Sequence, residues 1–316
     1  MPFFVYVLLS ILLLLIISGG YTFFSACARR KELPWLVEEE LQKTPYGKYY
    51  KYICYADTYL KEHNAQEVSV TSDDGLKLAG TWLKTDNAKG TIILAHGYRS
   101  SKLVEFSRVL EFYQGYGLNI LLPDQRSHGK SQGRYITFGV KESEDMKLWI
   151  RWVDQAQKNM PIILSGLSMG ASTMLYLADA ELPGNVRGII ADCGFTSPKA
   201  IVSKVFKDVT HLSGGPSIFF ADLFARLFAG FSLNAKDTRK VLQNSKLPIL
   251  LVHGIADSFV PCSMTQEGYA ACAGEKEMYL VEGAEHGLSF LTDPQTYKTK
   301  LLAFLDRNIK EKESLL

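Results

Sequence analysis

The stretch Pro161-Ile162-Ile163-Leu164-Ser165-Gly166-Leu167-Ser168-Met169-Gly170 decides how this chain folds. Its first half is a short, continuous apolar run, the pattern of a parallel strand buried on both faces. Its second half puts glycines two before and two after Ser168, where a strand turning sharply into a helix leaves no room for a Cβ. Such a turn lifts the Ser168 hydroxyl clear of the backbone. It also leaves the Met169 N–H at a helix N-terminus, where negative charge is favoured. A G-x-S-x-G turn alone is only moderately specific, because small residues gather in many ordinary loops. The segments around it narrow the reading.

Short apolar runs recur on both sides: Thr91–Ala95, Leu118–Leu122, Ile162–Ser165, Gly188–Ala191, Ile249–Val252 and Met278–Val281. Helix-period segments separate them, at about 102–115, 140–157, 169–181, 262–272 and 295–311. This alternation predicts an α/β fold, a mostly parallel sheet with helices on both faces. Val68–Val70 and Leu76–Leu83 flank the turn-like Ser72-Asp73-Asp74-Gly75, a hairpin signal that adds antiparallel strands and brings the sheet to eight. About 50 residues between Cys193 and Leu247 carry no strand signal but are strongly apolar around Ile218–Phe228. A structureless loop of that length is improbable in a compact domain. A helical lid insertion at about 199–245 is expected, with a pair of ordinary covering helices as the alternative.

The chain has 316 residues, 47% of them hydrophobic and 22% charged, with a net charge of +2. That is the composition of a folded protein with ample length for a core. Lysines and arginines are scattered without a basic stripe, so no nucleic-acid partner is expected. The five cysteines (Cys27, Cys54, Cys193, Cys262 and Cys272) are odd in number, widely spaced and without a C-x-x-C pair. They indicate neither a disulfide framework nor a zinc site. Cys54, Cys193 and Cys272, in apolar company, are expected to be small core residues.

Residues 1–28 hold no charged side chain, and Phe3–Gly19 is almost unbroken apolar sequence. This is long enough to cross a bilayer. A cleaved signal peptide would open with a positive n-region, which residues 1–10 lack. Phe24-Ser25-Ala26-Cys27 only faintly matches a lipoprotein processing box at Cys27. The expected organisation is a transmembrane anchor at 1–28, a connecting helical segment at 29–65 and a catalytic domain at 66–316. Arg29-Arg30-Lys31 follow the anchor, and no lysine or arginine precedes it, which favours a cytoplasmic catalytic domain.

A serine nucleophile needs a base within hydrogen-bond reach and an acid that orients the base. Of the six histidines, His286 lies in Glu282-Gly283-Ala284-Glu285-His286-Gly287, beyond the last strand and among small residues suited to a crowded loop. Asp257 follows the penultimate strand in His253-Gly254-Ile255-Ala256-Asp257-Ser258-Phe259-Val260-Pro261, and Asp192 at the end of the preceding strand competes for the acid's place. Two further segments stand out: His96-Gly97-Tyr98-Arg99-Ser100, and Pro123-Asp124-Gln125-Arg126-Ser127-His128-Gly129-Lys130-Ser131.

Taken together and in this order, these motifs resemble the α/β-hydrolase superfamily, in its esterase, lipase and S33-like peptidase group, over roughly residues 66–312. The resemblance implies Ser168 as nucleophile, His286 as base and Asp257 as acid. It implies an oxyanion hole made by the Tyr98 and Met169 backbone N–H groups. It also implies that His96, His253 and the Asp124–His128 segment brace loops and are not catalytic. The expected chemistry is acyl transfer without cofactor or metal. Esters with apolar acyl chains are favoured as substrates by the apolar lid and the anchor. S33-like aminopeptidase activity is the alternative, with Glu282 or Glu285 as a subsite for a free amine, and a non-catalytic binding protein is a third reading. The scaffold also hosts thioesterases and haloperoxidases, so fold alone does not choose.

Overall fold

The computed structural model describes residues 3–43, 47–157 and 160–310. The expected tips of the chain at 1–2 and 311–316, and residues 44–46 of the connecting segment, lie outside the described residues. The chain opens with α1 (Phe3–Cys27), α2 (Glu38–Leu41) and α3 (Tyr50–Glu62). The hairpin β1 (Gln66–Thr71) and β2 (Lys77–Leu83) follows, then β3 (Gly90–Ala95), α4 (Lys102–Phe106), α5 (Leu110–Tyr116) and β4 (Leu118–Pro123). Next come α6 (Val140–Gln157), β5 (Ile162–Leu167), α7 (Met169–Leu175) and β6 (Val186–Asp192). Between β6 and β7 (Ile249–Gly254) the chain forms α8 (Pro198–Thr210), α9 (Gly215–Phe224), continued by one wider turn at Ala225–Ala229, and α10 (Thr238–Leu242). It closes with α11 (Cys262–Ala271), β8 (Lys276–Val281), α12 (Ser289–Thr292) and α13 (Pro294–Leu305).

The eight strands form one sheet in the order β1-β2-β4-β3-β5-β6-β7-β8. β1 and β2 pair antiparallel, as do β2 and β4, and the pairings from β4 through β8 are parallel. β3, β4 and β7 are buried along their whole length, which explains their largely apolar sequences. One face packs against α3, α5 and α13 through residues such as Leu60, Tyr113 and Phe304. The other packs against α6, α7 and α10 through Trp149, Leu175 and Leu242. A third apolar cluster sits over the carboxyl edge of the sheet and joins Phe23 and Cys27 of α1 to Ile201 of α8 and Ile218 of α9.

Three expected helices differ in extent; the one expected at 295–311 keeps α-helical geometry only over Pro294–Leu305 and continues as a wider turn over Asp306–Lys310. The segment expected at 102–115 breaks into α4 and α5, because Ser101 caps the first (Val104 N–H to Oγ, 3.3 Å) and the chain turns at Ser107. The segment expected at 169–181 keeps α-helical geometry only to Leu175. Beyond it the bonds tighten to three-residue spacing, Leu177 N–H to Met174 O and Ala178 N–H to Leu175 O.

Candidate active site

The sheet register brings the site together. Ala95 stands opposite Gly166 in the β3–β5 pairing, so the loop after β3 emerges beside the serine turn. Gly254 stands opposite Val281 in the β7–β8 pairing, and Ala256 N–H donates to Ala284 O at 3.0 Å, which ties the Asp257 loop to the His286 loop. At the turn itself Ser168 is held at φ +56°, a left-handed conformation costly for a residue with a Cβ. The glycines show why it is possible. A Cβ on Gly166 would meet the Gly170 carbonyl at 2.3 Å, and one on Gly170 would meet Ala95 O at 1.9 Å.

Ser168, His286 and Asp257 form one hydrogen-bonded relay. Ser168 Oγ lies 2.9 Å from His286 Nε2, and His286 Nδ1 lies 2.6 Å from Asp257 Oδ2. The other carboxylate oxygen of Asp257 accepts from the Phe259 and Val260 N–H groups at 2.9 and 2.8 Å. Burial alone would raise this carboxyl, but the hydrogen bonds from His253 and His286 hold it well below the usual carboxylate range. The acid therefore stays ionised while it orients the imidazole. Asp192, the competing acid, is turned elsewhere: it accepts from Ser289 Oγ at 3.1 Å and Tyr297 OH at 3.0 Å, and burial raises its pKa. His253 is fully buried, with Nδ1 2.6 Å from Thr265 Oγ1, and braces the acid loop.

The loop after β3 lies against the serine. A Cβ on Gly97 would stand 3.2 Å from Ser168 Cβ. The Met169 N–H, first in α7, has no partner within its helix. The neighbouring segments fix this loop. His96 is buried, accepts from Gln125 N–H at 3.1 Å, and is lowered to about 4 by desolvation. His128 Nε2 accepts from Arg99 N–H at 2.9 Å, and desolvation followed by the nearby His96 lowers it to about 3. Both imidazoles are thus neutral acceptors at pH 7. Asp124 pairs with Lys102 at 2.9 Å and not with His128, so the two do not form a catalytic pair.

A family model described as serine aminopeptidase, S33, matches residues 86–215. The uncharacterized protein YqkD of Bacillus subtilis is 27% identical over 75% of this chain and 78% of its own length. Among solved structures, the Pyrococcus furiosus esterase Pf2001 covers 79% of this chain and 96% of its own, at 26% identity and a TM-score of 0.64. The chain has the α/β-hydrolase fold. The uncharacterized membrane protein YNL320W of Saccharomyces cerevisiae is 20% identical over 72% of this chain and 75% of its own length.

An apolar cavity of about 310 Å³ opens on Ser168. It lies within the size range of small-molecule sites. Its floor holds Tyr98, Phe138, Phe195 and Phe259, and α8 supplies one wall with Ile201, Val205 and Phe206. α1 supplies another wall, through Ser18, Tyr21, Thr22, Ser25 and Ala26. Among the described lining residues Arg99 alone is charged; Glu282 and Glu285 are exposed and lie outside the lining.

The sequence reading missed three features. Glu105 accepts from the Gly97 N–H at 2.7 Å and is raised to about 8 by desolvation, so it holds the loop as a neutral acid. Cys193, expected in the core, is buried but borders the relay, with its sulfur within 4.8 Å of ligand atoms on Asp257 and His286. Burial pushes its thiol far up and keeps it protonated. Finally, α1 is part of the site. Tyr98 OH donates to Ala26 O at 2.7 Å, and Arg99 donates to Ser25 O and Ala28 O at 2.7 and 3.1 Å. Only an Arg among small polar residues hinted at this, and that signal is too common to act on.

Proposed function

We propose that this hydrolase is a serine esterase that cleaves carboxylic esters with apolar acyl chains through an acyl-enzyme at Ser168. The observation that carries this reading is the Ser168–His286–Asp257 relay opening into a cavity walled by aliphatic and aromatic side chains. Ser168 Oγ attacks the ester carbonyl while His286 Nε2 takes its proton. The oxyanion is met by the Tyr98 and Met169 N–H groups. His286 passes the proton to the departing alkoxide, and water, activated by the same imidazole, then releases the acid and frees Ser168. No step calls on a cofactor.

The match to the serine aminopeptidase model favours a peptidase as the second reading. That activity needs a carboxylate for the substrate's ammonium, whereas the charged lining residue here is a cation, Arg99. The apolar helix α1, 25 residues long and uncharged, fits a membrane anchor.

A fluorophosphonate probe should label the wild type and leave Ser168→Ala unlabelled. Equal labelling of the two would remove Ser168 as nucleophile. Turnover should rise with acyl length across p-nitrophenyl esters and exceed that of aminoacyl nitroanilides; faster nitroanilide turnover would favour the peptidase.

A further inference from the structure

The anchor helix is also a wall of the acyl cavity. At the outer end of that cavity, Tyr21 of α1 and Val209 of α8 are 76% and 75% exposed, whereas Ser168, Phe195 and Ile201 at the inner end are buried. The cavity therefore runs from the serine to a slot between α1 and α8. The first charge along α1 is Arg29, beyond the helix end. Tyr21 and Ser18 lie eight and eleven residues before it, about 12 and 16 Å along a helix axis. The slot thus opens on the apolar side of the charged boundary, on the same uninterrupted surface that is long enough to cross a bilayer.

A second helix shares that surface. α9 runs alongside α1: Ser18 Oγ donates to Ser217 Oγ at 3.0 Å, and a Cβ on Gly19 would come within 2.3 Å of Phe220 Cβ. Further along, Phe23 and Phe24 meet Phe224 and Phe228, with centroids 5.5 to 6.5 Å apart. Close approach through small residues, followed by aromatic contacts, is a packing that suits helices in lipid. Away from α1, α9 and the turn after it present Phe219, Leu223 and Leu227 at four-residue spacing, each more than half exposed. The pair Asp222–Arg226 sits toward the Phe24 end, the end nearer Arg29, where a long basic side chain reaches polar surroundings. The flank of α8 carries Lys204, Lys207 and Asp208, so the polar side of this helical insertion is on α8 and the apolar side on α1 and α9.

We propose that the active site is loaded from the bilayer: α1 and the Phe219-Leu223-Leu227 stripe lie in lipid, and a membrane-resident ester passes its acyl chain through the α1–α8 slot to Ser168. The proposal rests on the esterase reading of Ser168 and adds the source of the substrate and its route. It also makes α1 a selector of acyl length and not only a tether.

The test uses the full chain in vesicles of phosphatidylcholine and phosphatidylglycerol. Two substrates are compared: a long-chain fluorogenic ester dissolved in the vesicles and water-soluble p-nitrophenyl butyrate. Leu223→Glu/Leu227→Glu should lower turnover of the vesicle ester by roughly tenfold or more, the factor expected from losing the burial of leucine side chains, and leave the butyrate rate unchanged. Thr22→Trp should shift the chain-length preference toward short esters. In Leu223→Trp, brominated lipids should quench the added fluorescence. The proposal is overturned if the double variant cleaves the vesicle ester like the wild type, if it loses both substrates together, if bromine does not quench, or if Thr22→Trp keeps the wild-type chain-length profile. A wild type that cleaves neither ester, and takes no fluorophosphonate, defeats the esterase reading instead.

Discussion

Glu105 shows how one side chain can link the site to pH. Its carboxyl holds the Gly97 N–H beside Ser168, and its pKa in the folded chain is about 8, against an ordinary value of 4.5. Between those values the folded chain keeps a proton that the unfolded chain has lost. The stability tied to the neutral acid is therefore whole below pH 4.5 and drains away as the pH rises through about 8. Glu105→Gln is neutral at every pH and keeps an acceptor for the amide. It should match the wild type in urea unfolding at pH 4.5 and resist higher urea above pH 8. An offset that stays constant with pH would refute this role. Nothing in the sequence marks Glu105, because its partner is an amide reached only once α4 docks on the β3 loop. Ser168, Asp257 and His286 were legible for the opposite reason. Each sits in a short motif after a strand, and the parallel sheet brings strand ends together without further information.

At the scale of elements, the strands were legible to within about two residues: the inner ones because burial on both faces forces apolar runs, and the partly exposed β1 because a turn signal joins it to β2. The helix breaks at Ser107 and Leu175 were not, since both depend on hydrogen bonds that helical periodicity does not encode. The partnership of α1 with α9 was also hidden. An apolar helix announces only that it avoids water, not what it touches. Gly19 tests that partnership, since a side chain there would collide with Phe220 and Ala221. Gly19→Leu should prise α9 from α1, lower the melting temperature and cut turnover of long-chain esters more than that of p-nitrophenyl butyrate. An unchanged ratio between the two esters would mean that α9 does not shape the cavity.

For the molecule as a whole, the basic residues Arg29, Arg30 and Lys31 at the end of α1 favour a catalytic domain on the cytoplasmic face. In sealed right-side-out vesicles, added protease should leave the C-terminal domain intact until detergent opens the membrane. Digestion before detergent would reverse the orientation. The fold class and the relay were legible at this scale because the motifs occur in a fixed order along the chain. The position of α1 beside the serine was not, because it depends on a contact between the first helix and an insertion about 200 residues later, as in Ser18 to Ser217.

The clasp of Tyr98 and Arg99 on the last carbonyls of α1 bears on how the protein can be handled. Cutting the chain at Arg29 to gain solubility would remove one side of the cavity beside Ser168 and the carbonyls that hold Tyr98, the proposed oxyanion donor, and Arg99. A soluble fragment made that way would be a different catalyst, with a selectivity of its own, and its substrate profile would not transfer to the intact protein.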